Sequence, residues 1–472
     1  MSLNTTSSIS QVAALAGPRK VKIKAKRKSM TLSPARLAYF VFLLVNLVLF
    51  IRPSELIPAL QGTELYEMLI LGALLLNIKN IQPQLRYREL RKQPIVLCAV
   101  GLIFAIMLSH ATHFYLGGVV EGAEMFFKVL VYFILLVSLI TTPQRLKWFA
   151  MTVALSASLM ITFCVVDYLG IHDFKFITHV VDQADDYDEI TGQRLRVVRM
   201  RGTGLFQDPN DIGLLIVTTS ILCTYFLTDK SLPGFRFGWI VPLLIMFVAL
   251  YCTRSRGALL SLGVAGLSFC ALRFGKKMAI AGGIIALLGA TLVAGRQANI
   301  DLEDGTGQDR ILIWREGLLE LRSPDILFGA GEGMYDEIAN FVAHNSFVHT
   351  YVELGLFGGT LFFGCFFFAG VALYKMSLPT TRILHPELER FRPYMGAIVG
   401  GMGIGLMALS RCYVVPTYMV IGMATTYISI VNRHCTPRKF LIYWNKHHIT
   451  LLLTGSACMF VVLHILVKVL AH

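Results

Sequence analysis

Four short segments of this 472-residue chain hold polar residues whose types suit chemistry on an anionic substrate. In the first, Arg201-Gly202-Thr203-Gly204 leads into Asp208-Pro209-Asn210-Asp211. Asp208 has the position of a helix N-cap and Pro209 that of the first helical residue. The glycines before them allow a tight turn, so an arginine and a helix start can face one ligand. Capping and turning account for Asp208 to Asp211 without any ligand, but not for Arg201. The second segment, Thr253-Arg254-Ser255-Arg256-Gly257, places two arginines in a very short turn between apolar runs. Charge at the centre of a membrane helix costs ~2.5 kcal/mol or more, less toward the interface, and calls for a partner or a water-filled cavity. A phosphate would be such a partner, because guanidinium donates bidentate, charge-assisted bonds to its oxygens.

The third segment, Gly307 to Leu319, reads as an amphipathic helix carrying Arg310 and Arg315. Its Ile311, Trp314 and Leu318, with Leu321 beyond, make one apolar stripe suited to lying over a membrane face. The glycine cluster that follows, Pro324 to Gly333, is read as a turn, because no strand precedes it as a dinucleotide fold would require. The fourth runs from His344-Asn345-Ser346 through His349 and Glu353 to Gly355 and Gly358. Imidazole near its ordinary pKa of ~6.5 accepts a proton at neutral pH, which suits general-base activation of a hydroxyl. A lone histidine is nonetheless more often an ordinary loop residue than a catalyst. His349, five residues on, is badly spaced to share a metal with His344 and is read either as packing or as a support for the residues that touch substrate, and Glu353, which could lie one helical face away, has no assigned role.

The elements that must hold these segments are dictated by composition. Hydrophobic residues make up 55% of the chain and charged ones only 15%, with a mean hydropathy of +0.63, so the bilayer is its solvent. Apolar runs long enough to cross ~30 Å of hydrocarbon begin near Leu37, Leu56, Ile95, Met125, Phe149, Ile212, Trp239, Ala258, Met278, Phe347, Tyr394, Tyr413 and Thr450, which predicts 12–13 transmembrane helices. The net charge of +14 does not point to nucleic acid, since the basic residues lie in short segments between these runs and report topology first.

Placing residues 1–33 inside, as a disordered basic tail on anionic headgroups, puts every strongly basic short loop on the same side: Lys79 to Lys92, Arg145 to Lys147, Lys230 to Arg236, Arg273 to Lys277, Arg382 to Arg392 and Arg433 to Lys446. Two long polar segments, 171–207 and 296–345, then lie outside. The external face gathers Arg194, Arg196, Arg199, Arg201, Arg254, Arg256, Arg310, Arg315 and Arg411 against the positive-inside bias. Either long loops escape the rule or an anionic, phosphate-bearing ligand binds there. Nine cysteines fall singly, with no CxxC pair, so neither a disulfide framework nor a zinc site is indicated. Residues 34–447 form the polytopic core, and 448–472 read as an additional C-terminal transmembrane helix.

In these segments the chain resembles the O-antigen ligase and polymerase superfamily, bacterial integral-membrane glycosyltransferases that use undecaprenyl-diphosphate-linked glycans. His344-Asn345, nine residues, Gly355, two residues and Gly358 fit the ligase pattern H-[NSQ]-x9-G-x2-[GTY], and Arg256 with Leu260 fits its R-x3-L element. Arg201 with Gly204 and Pro209-Asn210 is similar to the arginine segment before a ligase helix, and 310–333 to the family's periplasmic loop. The resemblance implies an all-α membrane fold in the bacterial inner membrane, N-terminus cytoplasmic, with a cavity open to the outer leaflet. It implies inverting, metal-independent transfer of a glycan from undecaprenyl diphosphate to an acceptor hydroxyl, such as a lipid A core sugar, with no cofactor. His344 would be the catalytic base and Arg201 and Arg256 would hold the diphosphate. Arg199, Arg254, Arg310, Arg315, Asn345 and Asn210 would support them or contact the glycan. A polymerase joining lipid-linked repeats, a transporter of lipid-linked sugars and an envelope scaffold are the alternatives. The acidic stretch 182–189 has no functional account.

Overall fold

The computed structural model describes residues 33–187, 194–275, 277–283, 306–321, 325–438 and 440–471. The expected tail therefore lies outside the described residues, as do most of the apolar run from Met278 and the segment 296–305.

The protein is an all-α integral membrane protein. In hydrocarbon every backbone N–H and C=O must find a partner within its own segment, and helices do this. The long helices are α1 (Pro34–Ile51), α2 (Leu65–Gln84), α3 (Pro94–Ala111), α4 (Leu116–Leu139), α5 (Pro143–Tyr168), α6 (Pro209–Leu227), α7 (Ile240–Thr253) and α8 (Arg256–Phe274). After the amphipathic α9 (Thr306–Glu320) and the short α10 (Tyr335–Ala339) come α11 (Ser346–Met376), α12 (Pro386–Gly405), α13 (Val415–Val431) and α14 (Lys446–Leu470). Among the described residues nine of these helical segments are long and apolar enough to cross a bilayer. α2, α12 and the shorter α13 pack among them although they fall below that measure.

Several boundaries differ from the hydropathy reading because helices start in the polar residues before the apolar run. α4 begins at Leu116 rather than Met125, and α12, with proline in its first turn, at Pro386 rather than Tyr394. The run from Leu56 starts as two short turns, Pro53–Leu56 and Pro58–Leu60, and becomes α2 only at Leu65. The polar segment 171–207 holds an antiparallel hairpin that hydropathy does not announce, Val180–Tyr187 paired with Arg194–Arg199 and Val180 opposite Arg199.

α6 and α13 are buried on nearly every side and form the centre, whereas α7, α8 and α14 turn most of their surface outward. Their outward residues, among them Leu244, Phe247, Leu259, Leu260, Val461 and Ile465, are exposed and apolar, as a lipid-facing belt requires. The face carrying the starts of α6, α8 and α11 is called the site face below. On the opposite face a partly buried ion network ties α5, α6 and α12 together: Lys147 Nζ lies 2.5 Å from Asp229 and 3.3 Å from Glu387, and Arg390 lies 3.2 Å and 2.9 Å from the same two carboxylates.

The 31-residue α11 is broken at Gly355, whose φ of +64° and ψ of −168° are open essentially to glycine alone. The glycine-rich segment 326–331 threads along the break. Leu356 and Phe357 donate their N–H groups to the carbonyls of Ile326 (2.9 Å) and Leu327 (3.0 Å), and the carbonyls of Val352 and Glu353 accept from Ala330 and Gly331 (3.0 Å each). A Cβ on Gly355 would lie 2.4 Å from the Leu327 carbonyl oxygen, and one on Gly329 would lie 2.4 Å from the Glu353 oxygen, so backbone crosses backbone there. The final glycine of the sequence pattern is also steric: a Cβ on Gly358 would meet that of Leu354 at 2.2 Å.

Candidate active site

The start of α6 is built as its sequence predicts. Asp208 accepts the N–H of Asn210 at 2.7 Å and Pro209 opens the first turn. The Asn210 side chain then reaches sideways, its Oδ1 accepting from Ser255 Oγ at 2.7 Å and from Arg199 at 3.3 Å. Ser255 caps α8 through the N–H of Ala258, and a Cβ on Gly213 would lie 2.6 Å from that of Ala258, so α6 and α8 approach closely. Arg199 also donates to the carbonyl of Thr253 at 3.0 Å, and Met200 N–H to that of Cys252, which laces the strand before the Arg201 segment onto the end of α7.

Arg256 is the first residue of α8 and its side chain is exposed at the site face. Arg254 beside it is exposed and left-handed, with φ of 50°, where it ends α7. Arg201 stands elsewhere in the site face: its guanidinium donates to the carbonyl and hydroxyl of Thr178. Close to it, His179 Nε2 lies 3.0 Å from Asp167. Burial pushes the His179 pKa down, Asp167 opposes this, and the Arg201 charge adds to the depression.

His344 immediately precedes α11, half-buried and left-handed with φ of 48°. Asn345 caps the helix, its Oδ1 accepting from Phe347 at 3.0 Å and Val348 at 3.2 Å, which fixes the direction in which the chain leaves His344. Burial lowers the pKa of His344, and the neighbouring charges of Arg310 and Arg411 lower it further, against an opposing contribution from Asp208. The imidazole is thus held neutral near pH 7, the form that accepts a proton.

Arg310 reaches this position from α9, which is pinned over the site face. Trp314 Nε1 donates to the carbonyl of Ala343, next to His344, at 2.6 Å, and Ile311, Leu318 and Leu321 are buried. Asp208 and Arg199 are the charges nearest Arg310 in influence. Arg315 is exposed.

Arg411 and Asp211 form the element of the site that sequence reasoning missed. Arg411 Nε donates to both carboxylate oxygens of Asp211 at 2.7 Å, while the Arg411 backbone N–H donates to Ser346 Oγ at 2.8 Å. One residue therefore ties the start of α6 to the start of α11. A narrow apolar cleft of about 30 Å³, lined by Phe206, Leu214, Leu215, Met402 and Leu406, lies beside the pair. The only signal for Arg411 was its misplacement against the positive-inside bias, and Asp211 had been accounted for as a cap residue. Among the described residues, no three His, Cys, Asp or Glu side chains gather as a metal ion would need.

The site therefore brings His344, Asn345, Arg310, Asn210, Arg199 and the Arg254–Arg256 turn into one face, with Arg201 joined through the loop to Thr178. A neutral imidazole beside arginines suits proton removal from a hydroxyl while negative charge develops close by. A search of the curated proteins finds no match. Residues 241–363 match the family model described as O-Antigen ligase. This stretch runs from α7 into α11 and contains Arg254, Arg256, Arg310, Arg315, His344, Asn345, Gly355 and Gly358, and over it the chain is similar to the O-antigen ligase family.

Proposed function

We propose that the protein is a glycosyltransferase that moves a glycan from undecaprenyl diphosphate to an acceptor hydroxyl at the periplasmic face of the inner membrane, as an O-antigen ligase does. The observation that carries this reading is a half-buried His344 just before α11, on the face that also holds Arg256 and Arg310 and within the stretch that matches the O-Antigen ligase family model. In the reaction the acceptor hydroxyl gives its proton to the His344 imidazole and its oxygen attacks the anomeric carbon. The bond from that carbon to the diphosphate breaks on the opposite side, inverting the centre, and undecaprenyl diphosphate leaves with the electron pair. A positioned general base contributes typically ~10²–10⁴-fold.

Arg256 and Arg201 hold the diphosphate and stabilise the charge it gains on leaving, a task for which preorganised guanidinium groups are suited. For Arg201 this means exchanging the Thr178 oxygens for phosphate oxygens. Transfer is favoured over transport because the arginines of the site gather on one face, whereas a transporter needs its charged cavity reachable from both sides.

The test is the length of glycan left on undecaprenyl diphosphate in cells carrying His344→Ala. Long chains on the carrier are the expected result and identify a ligase acting on finished polymer. Single repeats would make the protein a polymerase, and an unchanged carrier pool would remove His344 from catalysis.

A further inference from the structure

Glu353 and His349 take no part in the transfer just described, yet Glu353 is completely buried within α11. An unpaired carboxylate in such a place costs several kcal/mol, so its partners reveal what it is there to hold. Its Oε1 faces three donors: His349 Nε2 at 3.0 Å, the N–H of Gly333 at 3.0 Å and the N–H of Tyr335 at 3.3 Å. Two of the three are backbone groups just beyond the segment 326–331 that threads the break at Gly355, Tyr335 being the first residue of α10. The chain here turns through Gly329, Gly331 and Gly333, all at positive φ, and beyond them has no further carbonyls of α11 to pair with. The Glu353 carboxylate supplies the missing acceptor.

From there the contacts lead to the site. The Tyr335 ring lies flat on His349, with centroids 5.1 Å apart and planes 12° apart, and the other His349 nitrogen meets Ser410 Oγ at 3.1 Å. The Tyr335 hydroxyl donates to the carbonyl of Ile313 in α9 at 3.1 Å and fits against Gly317, where a Cβ would lie 2.6 Å from it. α9 in turn carries Trp314, bonded to the residue before His344, and Arg310, whose charge acts on His344. Leu318 of α9 and Leu321 just after it share one buried cluster with Tyr335, Val348, Tyr351 and Val352.

We propose that Glu353 is a positioning residue: by gathering His349, Gly333 and Tyr335 it seats α9, and with it Arg310, over the site face. It acts through Tyr335 and α9 and touches neither substrate. Only the activity arm of this inference rests on the transfer reading.

The experiment places a cysteine at the buried Leu318 of the full-length protein in native membranes and measures its reaction with a membrane-impermeant maleimide, corrected for the same chain without Leu318→Cys. Glu353→Ala is expected to speed labelling at least tenfold. Glu353→Gln, which keeps an oxygen facing all three donors, is expected to stay within about 1.5-fold of the rate with Glu353 unaltered. In the activity arm Glu353→Ala lowers kcat more than tenfold with little change in donor KM, and Glu353→Gln restores most of it. Labelling that is unchanged in Glu353→Ala, or as fast in Glu353→Gln as in Glu353→Ala, overturns the inference. Should Glu353→Ala fail to accumulate in the membrane, Tyr335→Phe decides: loss of the one bond to Ile313 is expected to speed labelling about threefold, and no change overturns the seating. Absence of transfer in every form, the unaltered protein included, sinks the transfer reading while the labelling rates still judge the seating of α9.

Discussion

Breaking the ion pair between Asp211 and Arg411 should have different consequences depending on which partner is removed. The Asp211 side chain is 5% exposed and stands among Phe206, Leu214 and Leu215, whereas the Arg411 side chain is 39% exposed. Arg411→Ala leaves a carboxylate with no cation in an apolar cleft and should cost about 3–5 kcal/mol, the usual result of stranding a buried charge. Asp211→Ala leaves a guanidinium that water already reaches, so solvent screening should hold the loss to about 1–2 kcal/mol. The double variant strands nothing. Its cost should fall near that of Asp211→Ala alone, about 3 kcal/mol or more short of the sum of the two single variants. Titration of the purified proteins from mild into denaturing detergent, followed by tryptophan fluorescence, gives the four free energies of the cycle. If Asp211→Ala proves as costly as Arg411→Ala, or if the single effects add within about 0.5 kcal/mol, the burial asymmetry does not govern this pair.

Two further outcomes are expected. Because the Arg310 charge depresses the pKa of His344, Arg310→Ala should raise it toward its ordinary value, and since the protonated ring cannot act as a base, the acidic limb of the pH–rate profile should move to higher pH. Activity near pH 6 should then fall by more than activity near pH 8, and a limb that stays in place would count against the coupling. Gly355→Ala should cost about 1–3 kcal/mol from its backbone conformation alone, and more from the approach to the Leu327 carbonyl. The measurement is thermal stability in detergent, with Gly370→Ala, which meets nothing within 4 Å on the same helix, as the control that should not lose stability.

Much of the candidate site could be read locally. Asp208 with Pro209, Ser255 before Arg256, and Asn345 after His344 are helix starts written in adjacent residues, and a cap needs only the few N–H groups that follow it. The amphipathic stripe of α9 is likewise a property of one turn repeated, visible in Ile311, Trp314 and Leu318. The glycines at 355 and 358 were visible as a pattern but not as a reason, since the reason for Gly355 is the backbone of Leu327, which crosses it in space.

What the sequence by itself determined is the environment of each segment: which stretches are lipid-soluble, which ends are charged, and where helices begin. Those properties follow from side-chain solvation and short-range hydrogen bonding, which are settled within a few residues. Only the tertiary structure decided which ends meet. Asp211 finds Arg411 from 200 residues away, Arg201 turns to Thr178 while Arg310 comes to His344, and Glu353 becomes the acceptor for Gly333 and Tyr335. Such pairings are set by how helices pack against one another and by the cost of leaving a buried charge or backbone group without a partner, and neither is written in any single segment.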